Sequence, residues 1–272
     1  MKKIVYSTIA GVTLLVLTAG AHNTDSRRQK PKPEFETPIV FQAAGPDAAS
    51  IQGIVDRFRA ALGGVNNLNA PGPLDAGRRE INWDGGGSTA TSPAPTPFTG
   101  FLVTRGALFT TPGTGFVQAP LDGLVTTFDN PDYATQFQPF SPLRLFSAVN
   151  STITNAEFFI PGGGDIPAVT AGFGAVFSDV DQPDGRPRKY GDTSPSTRLR
   201  FYDQYGEVIY VAAVPASPGD ASLSFLGVVF EDARIARVKI FSGDVAPGPD
   251  DERRKDVVVM DDFIYGEPKA VK

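Results

Sequence analysis

A glycine or a proline stands at about one position in five of this chain, 29 and 24 among 272 residues, and that density confines regular elements to short runs between turns. Neither residue is tolerated well inside a helix, so a helical bundle is disfavoured from the start. Twenty phenylalanines nevertheless make the chain too apolar to be disordered throughout. What satisfies both constraints is a set of many short strands packed on a shared core, an all-β fold. With no cysteine in the sequence, disulfides, thiolate catalysis and cysteine-held metal sites are excluded together.

The strand pattern follows from residue 98 onward. Short β-like runs at 101–104, 116–119, 125–128, 143–149 and 155–160 alternate with turn residues. Further runs cover 170–180, 197–202, 207–214, 223–230, 234–241 and 257–265. Asp203-Gln204-Tyr205-Gly206 between two of these runs reads as a hairpin turn. Upstream, Ile51, Ile54, Val55, Phe58 and Leu62 recur at helical spacing behind Asp47 and Ser50, two candidate caps, and ahead of the stop Gly63-Gly64. The spacing predicts one helix over residues 50–62. No other segment carries a helical period, and no fixed repeat runs through the chain.

The N-terminus has the layout of a secretory signal. Lys2 and Lys3 precede an apolar stretch from Ile4 to Leu17, and Ala19-Gly20-Ala21 supplies a small-x-small cleavage pattern. Residues 1–21 are therefore expected to be removed, leaving a secreted or periplasmic protein with no membrane segment. Residues 22–46, polar and punctuated by Lys30-Pro31-Lys32-Pro33, are expected to form a flexible tether. Residues 47–268 are expected to form a single domain, a size an antiparallel β-sandwich reaches routinely. Loss of Lys2 and Lys3 takes the formal charge from −5 to −7, which argues against nucleic acid as a partner.

Gly172-Phe173-Gly174-Ala175-Val176-Phe177, the hairpin around Gly206, Phe225-Leu226-Gly227-Val228, Ile235-Ala236-Arg237-Val238 and Asp261-Asp262-Phe263 together resemble the jelly-roll modules of exported bacterial proteins of the PEP-CTERM-associated type. The resemblance spans residues 155–268 and implies a lectin-like, antiparallel jelly-roll-like β-sandwich with the N-terminal α-helix packed on it. Members of that group are mostly of unknown function. The chain departs from the group in having no Pro-Glu-Pro box in its final residues.

Chemistry-bearing residues are sparse. The one histidine, His22, sits at the expected cleavage point, so a Ser-His-Asp triad and histidine-held metals are outside the domain's reach. Asp179, Asp181 and Asp184 form the densest acidic constellation, with the oxygen-rich loop character that calcium prefers. A solvated turn explains the same residues. Of Asp261 and Asp262, strand alternation would send only one inward beside Val259 and Phe263, where it would need a ligand or backbone donors. Trp83 and tyrosines 133, 190, 202, 205 and 210 are candidates for a sugar-stacking platform or for core packing. The expected function is a non-catalytic binding or structural module outside the cell, with carbohydrate as the ligand class and calcium as a stabilising ion. Two alternatives stay open: a glycan-active hydrolase using a carboxylate pair drawn from Glu80, Glu157, Glu207, Glu231 and the aspartates, and a module that binds other envelope proteins.

Overall fold

The computed structural model describes residues 37–85, 87–182, 196–249 and 255–271. Along the chain come β1 (Ile39–Gly45), α1 (Ala48–Ala61), β2 (Arg78–Ile81), β3 (Ser92–Ala94) and α2 (Leu102–Arg105). They are followed by β4 (Ala107–Thr110), β5 (Gly115–Ala119), α3 (Leu121–Phe128), α4 (Tyr133–Gln136) and β6 (Leu145–Val149). Next are β7 (Ile153–Phe158), β8 (Ala168–Val169), β9 (Gly172–Ser178), β10 (Arg198–Tyr202) and β11 (Val208–Ala213). The set closes with β12 (Leu223–Val229), β13 (Arg237–Phe241), β14 (Val259–Gly266) and β15 (Lys269–Ala270). The fold is mostly β and its strands pair antiparallel. One sheet runs β1-β12-β9-β14-β6-β5-β3, with β2 also paired to β14, and a second runs β11-β10-β13-β7-β4. β8 and β15 make a two-stranded ribbon.

Apolar side chains of the two sheets meet in one cluster. Phe109, Phe158, Phe201, Val238 and Ile240 come from the five-stranded sheet, and Phe116, Phe146, Phe173, Phe177, Phe263 and Tyr265 from the larger one. The larger sheet buries its second face as well, which explains why β9 and β14 are buried at every position. Over β1, β12 and β9 lies α1, with Ile51, Val55 and Phe58 inward beside Val176, Phe225 and Ile264. Over β5 and β6 lies α3, whose Leu124 and Phe128 pack with Val117, Leu145 and Val259.

Asp47 caps α1 by accepting from the Ser50 amide at 2.9 Å, and Gly63 takes the left-handed φ of +110° that ends it. Inside this helix, Phe58 lies over Gly174 and Gly227, which face each other across β9 and β12. A Cβ at Gly227 would come within 2.6 Å of the Phe58 ring, so the missing side chain is the seat for that ring.

Three expectations fail here for identifiable reasons. The part of the expected tether from Ile39 to Gly45 is instead a strand, because it pairs along β12 as β1. Its alternating apolar residues Phe41 and Ala43 reach the cluster under α1, giving the segment a reason to order. Residues 1–36, including the expected signal, lie outside the described residues. The runs at 101–104 and 125–128 are helical, in α2 and α3. α3, with the sequence Leu-Asp-Gly-Leu-Val-Thr-Thr-Phe, has β-branched residues and a glycine, and its burial on β5 and β6 overrides that propensity. The 50–62 helix is thus one of several helical segments. No helix among the described residues is long and apolar enough to cross a membrane.

Candidate functional site

The acidic loop at the end of β9 is partly in view. Asp179 takes a left-handed φ of +70°, a conformation aspartate adopts more readily than most residues, and is only 2% exposed. Its Oδ2 accepts from Gln136 Nε2 at 2.8 Å, while its Oδ1 is buried with no hydrogen-bond partner among the described residues. Asp181 turns elsewhere, accepting the Gly219 amide at 2.8 Å, and its own amide donates to Asp256. Asp184, the third expected ligand, lies outside the described residues. Among the described residues, which leave out Asp184, no group of three or more acidic or histidine side chains converges.

Burial, then the charges of Asp181, Asp220 and Asp256, push Asp179 up to about 8. Burial pushes Asp256, which accepts from Ser196 Oγ, up to about 6. A folded-state pKa above the unfolded value gives stability that is complete below the unfolded value and lost as pH rises through the folded one. The wild type is therefore expected to lose stability from about pH 4 to about pH 8, with Asp179 responsible for the upper part of the fall. Thermal melts across that range should show Asp179→Asn flatter than wild type above pH 6 and more stable at pH 8. Parallel curves for the two proteins would refute the assignment.

A second carboxylate group lies on the helix-covered face of the large sheet. The pairing of β14 with β9 shifts register between Met260 and Phe263, which inserts one extra residue. The bulge overturns the expected alternation: Val259 and Phe263 fall on opposite faces, and both Asp261 and Asp262 are buried. Asp261 accepts the backbone amides of Phe140 and Ser141 at 2.6 and 3.2 Å and Ser141 Oγ at 3.1 Å, the donors such a residue needs. Arg59 of α1 reaches Glu80 Oε2 at 3.0 Å and Asp262 Oδ2 at 3.3 Å. Burial raises Asp261 well above the carboxylate range and Asp262 to about 6.

A polar hollow of about 310 Å³ opens beside Arg59, Glu80, Arg105 and Asp262. Glu80 and Asp262 share one guanidinium across it. That arrangement ties α1 to β2 and β14.

Most of the aromatic candidates are core. Trp83 is fully buried and stacks on Phe146 at 3.7 Å between ring centres, with its Nε1 donating to the Asp261 carbonyl. Tyr133 is fully buried, Tyr210 packs between Phe201 and Phe230, and Tyr202 lies beneath the Arg237 guanidinium at 3.9 Å. Tyr190 lies outside the described residues. Tyr205 differs from all of these, with 80% of its surface exposed.

Tyr205 stands on the β10–β11 turn at the mouth of a cleft of about 810 Å³. The turn is stiff. Asp203 Oδ1 accepts the amides of Tyr205 and Glu207, each at 2.9 Å, and Gly206 supplies the left-handed φ of +81°. Glu157 of β7 and Arg237 of β13 border the cleft from adjacent strands, and Ile166, Val271 and the β8–β15 ribbon close its apolar side. Large apolar side chains with a few placed polar groups in a concave surface are the ordinary makeup of a small-molecule site. The hairpin was legible in the sequence, but the cleft was not, because its walls come from segments more than a hundred residues apart. No family model, curated protein or solved structure matches this chain.

Proposed function

We propose that the chain is an exported binding module with a jelly-roll-like β-sandwich fold, whose cleft beside Tyr205 takes a carbohydrate. The exposed tyrosine on a rigid turn carries this reading. An aromatic face offers flat apolar area to the C–H face of a sugar ring, while Glu157, Asp203 and Arg237 offer acceptors and donors to hydroxyls around it. Holding the backbone of the turn in place before binding reduces the ordering cost that a mobile loop would add.

Tyr205→Ala is expected to leave the melting temperature unchanged, since the side chain is exposed, and to weaken glycan binding about tenfold. Retardation in gels containing soluble polysaccharides measures this directly. Equal retardation of variant and wild type would overturn the reading, as would the absence of retardation by any polysaccharide. Calcium belongs to the same proposal through Asp179, Asp181 and Asp184, supported by the buried Oδ1 of Asp179, which has no hydrogen-bond partner among the described residues. The melts described above, repeated at pH 8 in calcium and in EDTA, are expected to separate for wild type and to coincide for Asp179→Asn.

A further inference from the structure

The outer face of the five-stranded sheet has a charge pattern at odds with the rest of this acidic protein. Leu199, Phe201, Val238 and Ile240 point into the core, so the residues between them point away from it. Those residues form three rows across β10 and β13: Arg198 opposite Phe241, Arg200 opposite Lys239, and Tyr202 opposite Arg237. Like charges placed directly opposite one another in a sheet are unfavourable. Arg200 and Lys239 are such a pair, yet neither forms an ion pair among the described residues, and Arg200 Nε is buried with no hydrogen-bond partner. The next residue in that row is Asn155 of β7, whose Oδ1 is also buried with no hydrogen-bond partner among the described residues. Glu157 stands opposite Arg237 in register without pairing with it.

Two aromatic rings lie among these cations. Arg198 stacks on Phe241 at 3.8 Å from its centre, Lys239 stands at 5.2 Å from the same ring, and Arg237 stacks on Tyr202 at 3.9 Å. Stacking fixes the plane of the Arg237 guanidinium, whose N–H edge suits the fork geometry of a carboxylate or a sulfate. Arg237 also borders the cleft. Arg237 is thus shared by the cleft and this face, on which Lys239 and Arg200 are half-buried and Arg198, Tyr202 and Phe241 are buried.

We infer that the module's ligand is an acidic polysaccharide, with one sugar held against Tyr205 in the cleft and the carboxylates or sulfates of neighbouring sugars on Arg237, Lys239 and Arg200. The inference rests on reading the cleft as a glycan site. An extended anion along this face supplies a negative charge that no described residue gives the Arg200–Lys239 pair, and binding is expected to weaken as salt screens it.

The full chain is titrated with polygalacturonate, dextran sulfate, neutral dextran and duplex DNA in 50 and 500 mM salt. Polygalacturonate or dextran sulfate is expected to bind at least tenfold more tightly than dextran or DNA, and whichever binds better identifies carboxylate or sulfate as the recognised group. The double variant Arg200→Gln/Lys239→Gln is expected to lose at least tenfold in affinity for that polymer, while melting no lower than wild type because a like-charge pair is removed. Arg57→Gln, which removes a cation from the exposed side of α1, is expected to bind like wild type. Three results overturn the inference: unchanged affinity in the double variant, an equal loss in Arg57→Gln, or DNA bound as tightly as the acidic polymers. If the double variant binds normally while Tyr205→Ala does not, the cleft reading stands and the acidic ligand falls. If no polymer binds, both fall.

Discussion

Phe58→Ala is expected to lower the unfolding free energy by about 3–5 kcal/mol, the range for deleting a large buried aromatic. The ring is fully buried, meets Phe41 and Phe225 edge-on with centres 5.6 and 5.3 Å away, and fills the depression above Gly174 and Gly227. Backbone lines much of that depression, so the surroundings cannot collapse into the cavity as flexible side chains would. Urea unfolding monitored by circular dichroism measures the loss. A cost below about 1 kcal/mol would mean that α1 is not seated on the large sheet as described.

The second large effect concerns Arg79 and Glu267, paired in bidentate geometry at 2.6 and 2.7 Å with side chains 0% and 1% exposed. The pair also organises the loop between α1 and β2. Arg79 donates to the Leu68 and Ala70 carbonyls, each at 2.8 Å, and Glu267 accepts from Asn67 Nδ2 and from the Leu74 amide. Removing one charge leaves the other buried without compensation, a change that costs about 3–5 kcal/mol. Glu267→Leu is expected to show that loss, whereas Arg79→Met/Glu267→Leu, which removes both charges, should recover part of it. Unfolding curves in which the double variant is no more stable than the single one would show that the loop's hydrogen bonds, and not the unpaired charge, carry the effect.

The sequence made some of this legible and hid the rest on physical grounds. The helix at 50–62 could be read because its stripe, cap and glycine stop are local signals, and α1 differs from it only at its ends. The Asp203–Gly206 hairpin was visible for the same reason. α3 was not, since its helical state comes from burial on β5 and β6 and not from its own residues. Asp261 and Asp262 defeated the alternation argument because a bulge is a property of strand pairing, which one strand's sequence does not show. The basic face is written in alternate residues of β10 and β13, yet Arg200 and Lys239 are neighbours only through the register joining the two strands.

The most direct test of the central proposal is a glycan-array screen of the full chain and of Tyr205→Ala, with and without calcium. Wild-type signal is expected on polysaccharides carrying carboxylate or sulfate, and Tyr205→Ala should need about tenfold more protein to reach it on the same spots. No wild-type signal on any glycan, or the same signal from the variant, would contradict carbohydrate binding at the Tyr205 cleft.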